Sequence, residues 1–134
     1  MKREYGKDFS ADIKVDKYHL DEESEMSASI LSHYAELNAE AKGEVDKAEN
    51  ALKLTMAKRD LDYRSNPPGI MKITESVIAS LVESDEEVIE LKEELRKAKE
   101  KSYRYYAAVD ALHDKSARLH DLVDLWMKGY YTNA

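Results

Sequence analysis

The longest regular pattern in this chain is a row of apolar side chains that recurs in steps of three and four residues between Val88 and Trp126. Two positions in the row are serines, and the others are apolar. A spacing of about 3.5 residues over this length is typical of a long helix with a coiled-coil seam. The row consists of Val88, Leu91, Leu95, Ala98, Ser102, Tyr105, Val109, Leu112, Ser116, Leu119, Val123 and Trp126. The sequence therefore predicts one helix from Asp85 to Lys128.

Capping signals mark both ends of this helix. Ser84 precedes Glu87 by three residues, which is the spacing of a capping box at a helix N-terminus. Gly129 follows the apolar row, and glycine often closes a helix because it adopts positive φ readily. We expect the helix to begin after Ser84 and to end before Gly129.

An earlier apolar series predicts a second long helix. Asp21 is a suitable N-cap, because its carboxylate can accept a hydrogen bond from the first turn. The segment Ser65–Gly69 contains two prolines, which lack a backbone donor and restrict the residue before them. The apolar series consists of Ile30, Tyr34, Leu37, Ala41, Val45, Ala48, Leu52 and Met56. We expect a helix from about Asp21 to Arg64 that forms an antiparallel hairpin with the longer one.

Two smaller segments complete the predicted fold. Thr74 indicates the start of a short helix, Glu75–Glu83, at the turn of the hairpin. Residues 1–20 lack helical periodicity, and we expect an arm that docks on the helices or stays mobile, in preference to a short extended piece through Phe9, Ile13 and Val15. The predicted class is all-α, with an arm in residues 1–20 and a helical hairpin domain in residues 21–134.

Charge is distributed unevenly along the chain. The net charge is −7, which argues against a general nucleic-acid binder. Basic side chains concentrate in residues 57–73 and 96–104, whereas residues 74–95 carry eight acidic side chains and one lysine. The basic stretches are either ordinary solvated helix faces or local binding surfaces, and the charge pattern leaves both interpretations open.

No set of side chains indicates catalysis, a metal or a cofactor. The carboxylates follow helix surfaces without a matched base and nucleophile, and the chain contains no cysteine. His113 and His120 are seven residues apart, too far for the i, i+4 pair of a helical metal site. No apolar run approaches the length of a membrane-spanning helix, and the N-terminus lacks the features of a signal peptide. We therefore expect a non-enzymatic cytoplasmic protein that does not enter a membrane.

Tyrosines accompany both basic stretches. Tyr63 lies between Arg59 and Arg64, and Tyr103 lies at the end of the second stretch. Proteins that bind single-stranded nucleic acid combine aromatic rings, on which bases stack, with cations that meet the phosphates. Tyr105 falls on the apolar row, so we expect it in the core. The pattern makes single-stranded nucleic-acid binding a candidate function.

The apolar row widens along its C-terminal half. Past Ser102 its flanking positions become apolar as well, and one hairpin cannot easily bury so wide a stripe. A wide stripe favours contact among more than two helices, so we expect a ring-like or bundled homo-oligomer of more than two subunits. The residues predicted to mediate oligomerisation are Tyr105, Val109, Leu112, Leu119, Leu122, Val123 and Trp126.

The order of these features resembles the phage recombination mediator family of the UvsY type. The likeness begins with the arm segment Asp12–Asp16 and continues with a long helix that ends in a basic run and Leu61-Asp62-Tyr63. A loop, Thr74-Glu75-Ser76-Val77 and the break near Ser84-Asp85 follow. The last part is a long helix with Ala111-Leu112-His113 and Arg118.

The resemblance implies a small non-enzymatic protein that forms ring-like homo-oligomers. Such a protein would bind single-stranded DNA and help load a RecA-like recombinase onto DNA covered by single-strand-binding protein, in the host cytoplasm if a phage encodes it. An alternative is a coiled-coil scaffold or assembly protein that does not bind nucleic acid.

The resemblance also points to a DNA-contacting surface. Lys58 matches the family's basic position before the Leu-Asp-Tyr run, whereas Asp60 replaces the arginine directly before Leu61, and Arg59 lies one place earlier. Further basic side chains flank the proline turn and would form a basic tip with these residues. The predicted DNA-binding residues are Lys58, Arg59, Tyr63, Arg64 and Lys72.

Overall fold

The computed structural model describes residues 4–69 and 72–129 of the chain. Within these residues it contains four helices and no strand: α1 (Phe9–Asp12), α2 (Leu20–Ser65), α3 (Glu75–Ser84) and α4 (Glu86–Met127). Residues early in α2 contact residues late in α4, as the pair Ser27 and Ser116 shows, and later α2 residues contact earlier α4 residues. The two long helices therefore pack antiparallel. The predicted all-α hairpin with a short helix at its turn is confirmed.

Several predicted helix ends are confirmed. α2 ends at Ser65, two residues before Pro67. The Thr74 hydroxyl accepts a hydrogen bond from the Val77 amide at 3.3 Å, as expected of an N-cap for α3. Past the end of α4, Gly129 has a φ of +76° and its amide donates to the Trp126 carbonyl at 3.0 Å. This left-handed conformation explains why a glycine closes the helix.

Two predicted N-caps are wrong. α2 begins at Leu20, so Asp21 lies inside the first turn, where its carboxylate still favours the positive end of the helix dipole. The capping box at Ser84 does not form, because Ser84 is the last residue of α3 and its hydroxyl donates to the Ser80 carbonyl. Asp85 caps α4 instead, with Oδ1 accepting from two amides of the first turn at 3.0 and 3.3 Å.

The chain divides into two compact units. The first contains the residues up to Glu40 together with those from Tyr103 onward, and the second contains Ala41–Ser102. In the first unit the buried cluster consists of Met26, Ile30, Tyr34, Ala108 and Leu112. Phe9 and Ile13 from the arm pack against this cluster, so the arm is docked. The less favoured alternative, a short extended piece, is wrong at Phe9, because Phe9–Asp12 forms a helical turn and the Phe9 side chain packs against the cluster.

A buried polar network links the arm to α2 and α4 within the first unit. Asp12 and Lys115 are each only 1% exposed. The Asp12 carboxylate accepts hydrogen bonds from the Tyr34 hydroxyl at 2.7 Å and from the Gly6 amide at 2.9 Å. The Lys115 ammonium donates to the Asp12 carbonyl at 2.6 Å and lies 2.8 Å from a Glu23 carboxylate oxygen. Burial and the hydrogen bond to Asp12 raise the pKa of Tyr34 above its ordinary range, so its hydroxyl remains a donor.

The core of the second unit lies where α3 meets the two long helices. Its buried members are Ile78, Val82 and Val88, from α3 and the first turn of α4. Leu52, Met56 and Tyr63 of α2 pack against them. The short helix at the turn thus covers apolar surface that the long helices leave open.

The apolar periodicity predicts the inward faces correctly. Eleven of the twelve positions in the α4 row are buried or half-buried, and the exception is Trp126, which is 59% exposed. Every member of the α2 series is also buried or half-buried. The row therefore describes how α4 packs inside its own chain.

Candidate nucleic-acid interface

The predicted DNA-binding residues lie around the end of α2, within the second unit. Lys58 is exposed on the last turns of α2, and Lys72 is exposed just before α3 begins. No hydrogen bond or ion pair joins either ammonium group to another described residue. These two side chains keep their charge available to an external anion.

Arg59 is engaged by carboxylates of its own chain. Its guanidinium lies 3.3 Å from Asp85 and 3.6 Å from Asp62, and it also donates a hydrogen bond to Glu87. The hydrogen bond to Glu87 is the main reason why the pKa of Arg59 is raised. This arginine therefore joins α2 to the first turn of α4, and its charge is already neutralised by neighbouring carboxylates.

Arg64 makes a comparable set of ion pairs. Its two terminal nitrogens donate to the two carboxylate oxygens of Glu75 at 2.8 and 2.6 Å, and Nε donates to Asp60 at 2.5 Å. Such a bidentate pair is among the stronger side-chain hydrogen-bonding arrangements, although this one is exposed to water. The guanidinium of Arg64 lowers the pKa of Glu75. Asp60 thus helps to hold Arg64 in place.

One side of the Tyr63 ring packs in the core of the second unit. The ring packs against the cluster of Ile78, Val82 and Val88, and its hydroxyl donates to Asp85 Oδ2 at 2.9 Å. That hydrogen bond is the main cause of the lowered pKa of Asp85. To stack on a base, Tyr63 would have to use the part of its ring that this packing leaves exposed.

Asp85 is the organising residue that the sequence reasoning missed. It caps α4, accepts from the Tyr63 hydroxyl and lies beside the Arg59 guanidinium. An aspartate between two predicted helices is itself a strong N-cap signal, and this signal could have replaced the capping box at Ser84. Its partners on α2 are not visible in the sequence, because they depend on the pairing of the two helices.

The second basic stretch is also partly neutralised. Arg96 pairs with Glu93 at 2.7 Å and with Glu100 at 3.2 Å, and Lys101 lies 3.2 Å from Glu44. Lys97 is exposed and makes no ion pair with another described residue. Of the basic residues in the second unit, lysines rather than arginines are therefore open to a ligand.

The residues predicted for oligomerisation differ in their exposure. Leu112 and Leu119 are buried within the chain, and Tyr105 and Val109 pack against the cluster of the first unit. Leu122 and Val123 are half-buried. Trp126 is exposed, together with its neighbours Leu125 and Met127. The arm covers part of the widened stripe, and the apolar surface that remains accessible includes Tyr106 and the end of α4.

The described residues offer no cluster for a metal. No group of three or more histidine, aspartate or glutamate side chains in residues 4–69 and 72–129 is arranged to hold an ion. None of the helices in that part of the chain is long and apolar enough to span a bilayer.

Comparison with known proteins gives a match in fold. No protein-family model matches the chain, and no curated protein matches it. Two crystal structures of the recombination mediator protein UvsY of bacteriophage T4, in different lattice types, superimpose on it with TM-scores of 0.74 and 0.76. The identities are 17% and 18%, and the matches cover 92% of this chain and 92% and 95% of the UvsY chains. The resemblance to UvsY is confirmed at the level of the fold.

Proposed function

We propose that this protein is a non-enzymatic recombination mediator. It would bind single-stranded DNA and help load a RecA-like recombinase in place of single-strand-binding protein, in the host cytoplasm if a phage encodes it. The observation that carries the proposal is the shared fold with T4 UvsY, a recombination mediator protein, over 92% of this chain. In this proposal residues 1–20 are a docking arm, and residues 21–134 are the domain that oligomerises and binds DNA.

Lys58 is the proposed primary DNA contact, with Lys72 in support. Both lysines are exposed and lack an ion pair within the described chain. Arg59 and Arg64 would first have to exchange a carboxylate for a phosphate, so each contributes less net binding free energy than its charge suggests. Tyr63 contributes only through the accessible part of its ring. This ranking distinguishes side chains that the sequence alone treats as equivalent.

Oligomerisation would strengthen a weak contact of this kind. One lysine or two per subunit bind DNA poorly, but several linked sites engage one strand with a high effective concentration. We infer an assembly of more than two subunits that uses Leu122, Val123 and Trp126 at the end of α4. The buried Leu112 and Leu119 would support that surface from inside the subunit.

The test is fluorescence anisotropy of a labelled single-stranded oligonucleotide at two salt concentrations. Lys58→Ala is expected to weaken binding and to reduce the slope of log K against log salt by about 0.7 for each phosphate that the variant no longer neutralises. Lys97→Ala is the matched control, because Lys97 is also exposed, unpaired and in the second unit. If Lys97→Ala abolishes binding and Lys58→Ala does not, the DNA site lies on α4 instead.

The second candidate function is a scaffold or assembly protein without nucleic-acid binding. The carboxylate partners of Arg59 and Arg64 favour it, because two of the predicted DNA contacts already have structural roles. The net charge of −7 favours it as well. If the wild-type oligomer does not bind DNA at low salt, the scaffold function is supported over the mediator function.

A further inference from the structure

An apolar groove lies between α2 and α3 in the second unit. Its volume is about 540 Å³. Met56, Ala57 and Leu61 line it from α2, and Ala79 and Val82 line it from α3. Leu61 is 65% exposed. The groove therefore presents apolar surface to water that no described residue covers.

The shape of the groove suits a helical ligand. Ala57 and Ala79 are exposed on opposite walls, and their small side chains leave space between the two helices. Amphipathic helices dock in such grooves by placing apolar side chains at i, i+3 and i+4 spacing between the walls. Leu61 at the edge would pack against the side of an inserted helix.

A carboxylate at the rim of the groove favours a basic ligand. Glu83 lies at its rim and makes no ion pair with another described residue. Asp60, also at the rim, is held by Arg64. A lysine or arginine beside an apolar anchor would find complementary charge at Glu83.

We infer that this groove binds an amphipathic helix of a partner protein, with leucine-like anchors and flanking basic side chains. Lys58 is exposed next to Ala57 on the same helix, so the partner would lie beside the proposed DNA contact. The inference goes beyond DNA binding and does not depend on it. A mediator with this arrangement would hold a partner protein and a DNA strand on one end of α2.

The experiment uses a synthetic amphipathic helix of leucine and lysine, and a counterpart in which glutamate replaces each lysine. Binding to the full chain is followed by NMR of the methyl groups of Ala57, Ala79 and Val82. The lysine peptide is expected to shift these methyl signals and to bind at least about tenfold more tightly than the glutamate peptide.

Two substitutions locate the binding site. Leu61→Asp places a charge that the docked helix would bury without a partner, and it is expected to weaken binding of the lysine peptide by about tenfold or more. Leu54→Asp is the matched control, because Leu54 is 58% exposed on α2 but does not line the groove. Both side chains are exposed, so the thermal melts of both variants should match that of the wild type.

Three results would overturn the inference. The first is equal binding of both peptides, and the second is an equal reduction of binding by Leu61→Asp and Leu54→Asp. The third is a fall in oligomer mass for Leu61→Asp in light scattering, which would make the groove a contact between copies of this chain. Because the peptides contain no phosphate, a chain that binds the lysine peptide but not DNA would refute the mediator proposal and retain this site.

Discussion

Replacement of Lys115 by methionine is expected to destabilise the first unit strongly. The substitution keeps most of the side-chain length but removes the ammonium group, which contacts Glu23 at 2.8 Å and the Asp12 carbonyl at 2.6 Å. Glu23 then loses the ammonium group from its buried carboxylate, and breaking a buried ion pair in this way costs about 3–5 kcal/mol. Total stabilities are about 5–15 kcal/mol, so the loss is a large fraction of the whole.

A double-mutant cycle separates the ion pair from general damage to the core. When Glu23→Leu accompanies Lys115→Met, both charges of the pair are removed, and the Asp12 carbonyl loses the hydrogen bond from Lys115. Leaving such a group unsatisfied costs about 1–3 kcal/mol, so the double variant should be more stable than Lys115→Met alone. Lys97→Met is the control for the lysine-to-methionine change, because Lys97 is exposed on the same helix.

Urea denaturation followed by far-ultraviolet circular dichroism measures these differences. Hydrogen exchange of the Gly6 amide reports on the arm, because that amide donates to the Asp12 carboxylate. Its protection is expected to fall in Lys115→Met and to remain in Lys97→Met. A loss below about 1 kcal/mol for Lys115→Met, or strictly additive effects in the cycle, would refute the reasoning from a buried ion pair.

Two further predictions concern Asp85, which connects α3 to α4, and the end of α4. The Tyr63 hydrogen bond lowers the pKa of Asp85 in the folded state, so the stabilisation by Asp85 is present above the ordinary aspartate pKa of about 3.9 and is lost as the pH falls through the lowered value. The melting temperature of Asp85→Asn should therefore lie below that of the wild type at neutral pH and approach it in acid, and a gap independent of pH would contradict this. Trp126→Glu, at a position 59% exposed, should reduce the oligomer mass in light scattering while leaving the helical circular dichroism unchanged, and an unchanged mass would remove Trp126 from the interface.

The sequence predicted the helices and their inward faces because periodicity is a local property. The α4 row and the prolines of the turn are visible without knowledge of the partner helix. Lys115 could not be identified in this way, because a lysine beside an apolar row is normally an exposed flank. Its burial depends on an acceptor in the arm and on Glu23, and both are remote in sequence.

The position of the candidate DNA site could be predicted from the sequence, but its electrostatic potential could not. Basic residues at the end of a helix mark a positive patch in the sequence, and Lys58 is exposed as that pattern suggests. The partners of Arg59 at Asp85 and Glu87 lie far along the chain, and only the register between α2 and α4 brings them together. Counting charges in a sequence segment therefore overestimates the positive potential of this surface.

Asp85 restricts where the length of this chain can change. It ends α3 and caps α4, so one residue forms the whole connection between two helices that share a core. An inserted residue in extended conformation would displace one helix by about 3.5 Å, and Ile78 and Val82 would then no longer align with Val88. Proteins of this fold should vary in length between α2 and α3, where Pro67, Pro68 and Gly69 are exposed, and should keep the α3–α4 joint at a constant length.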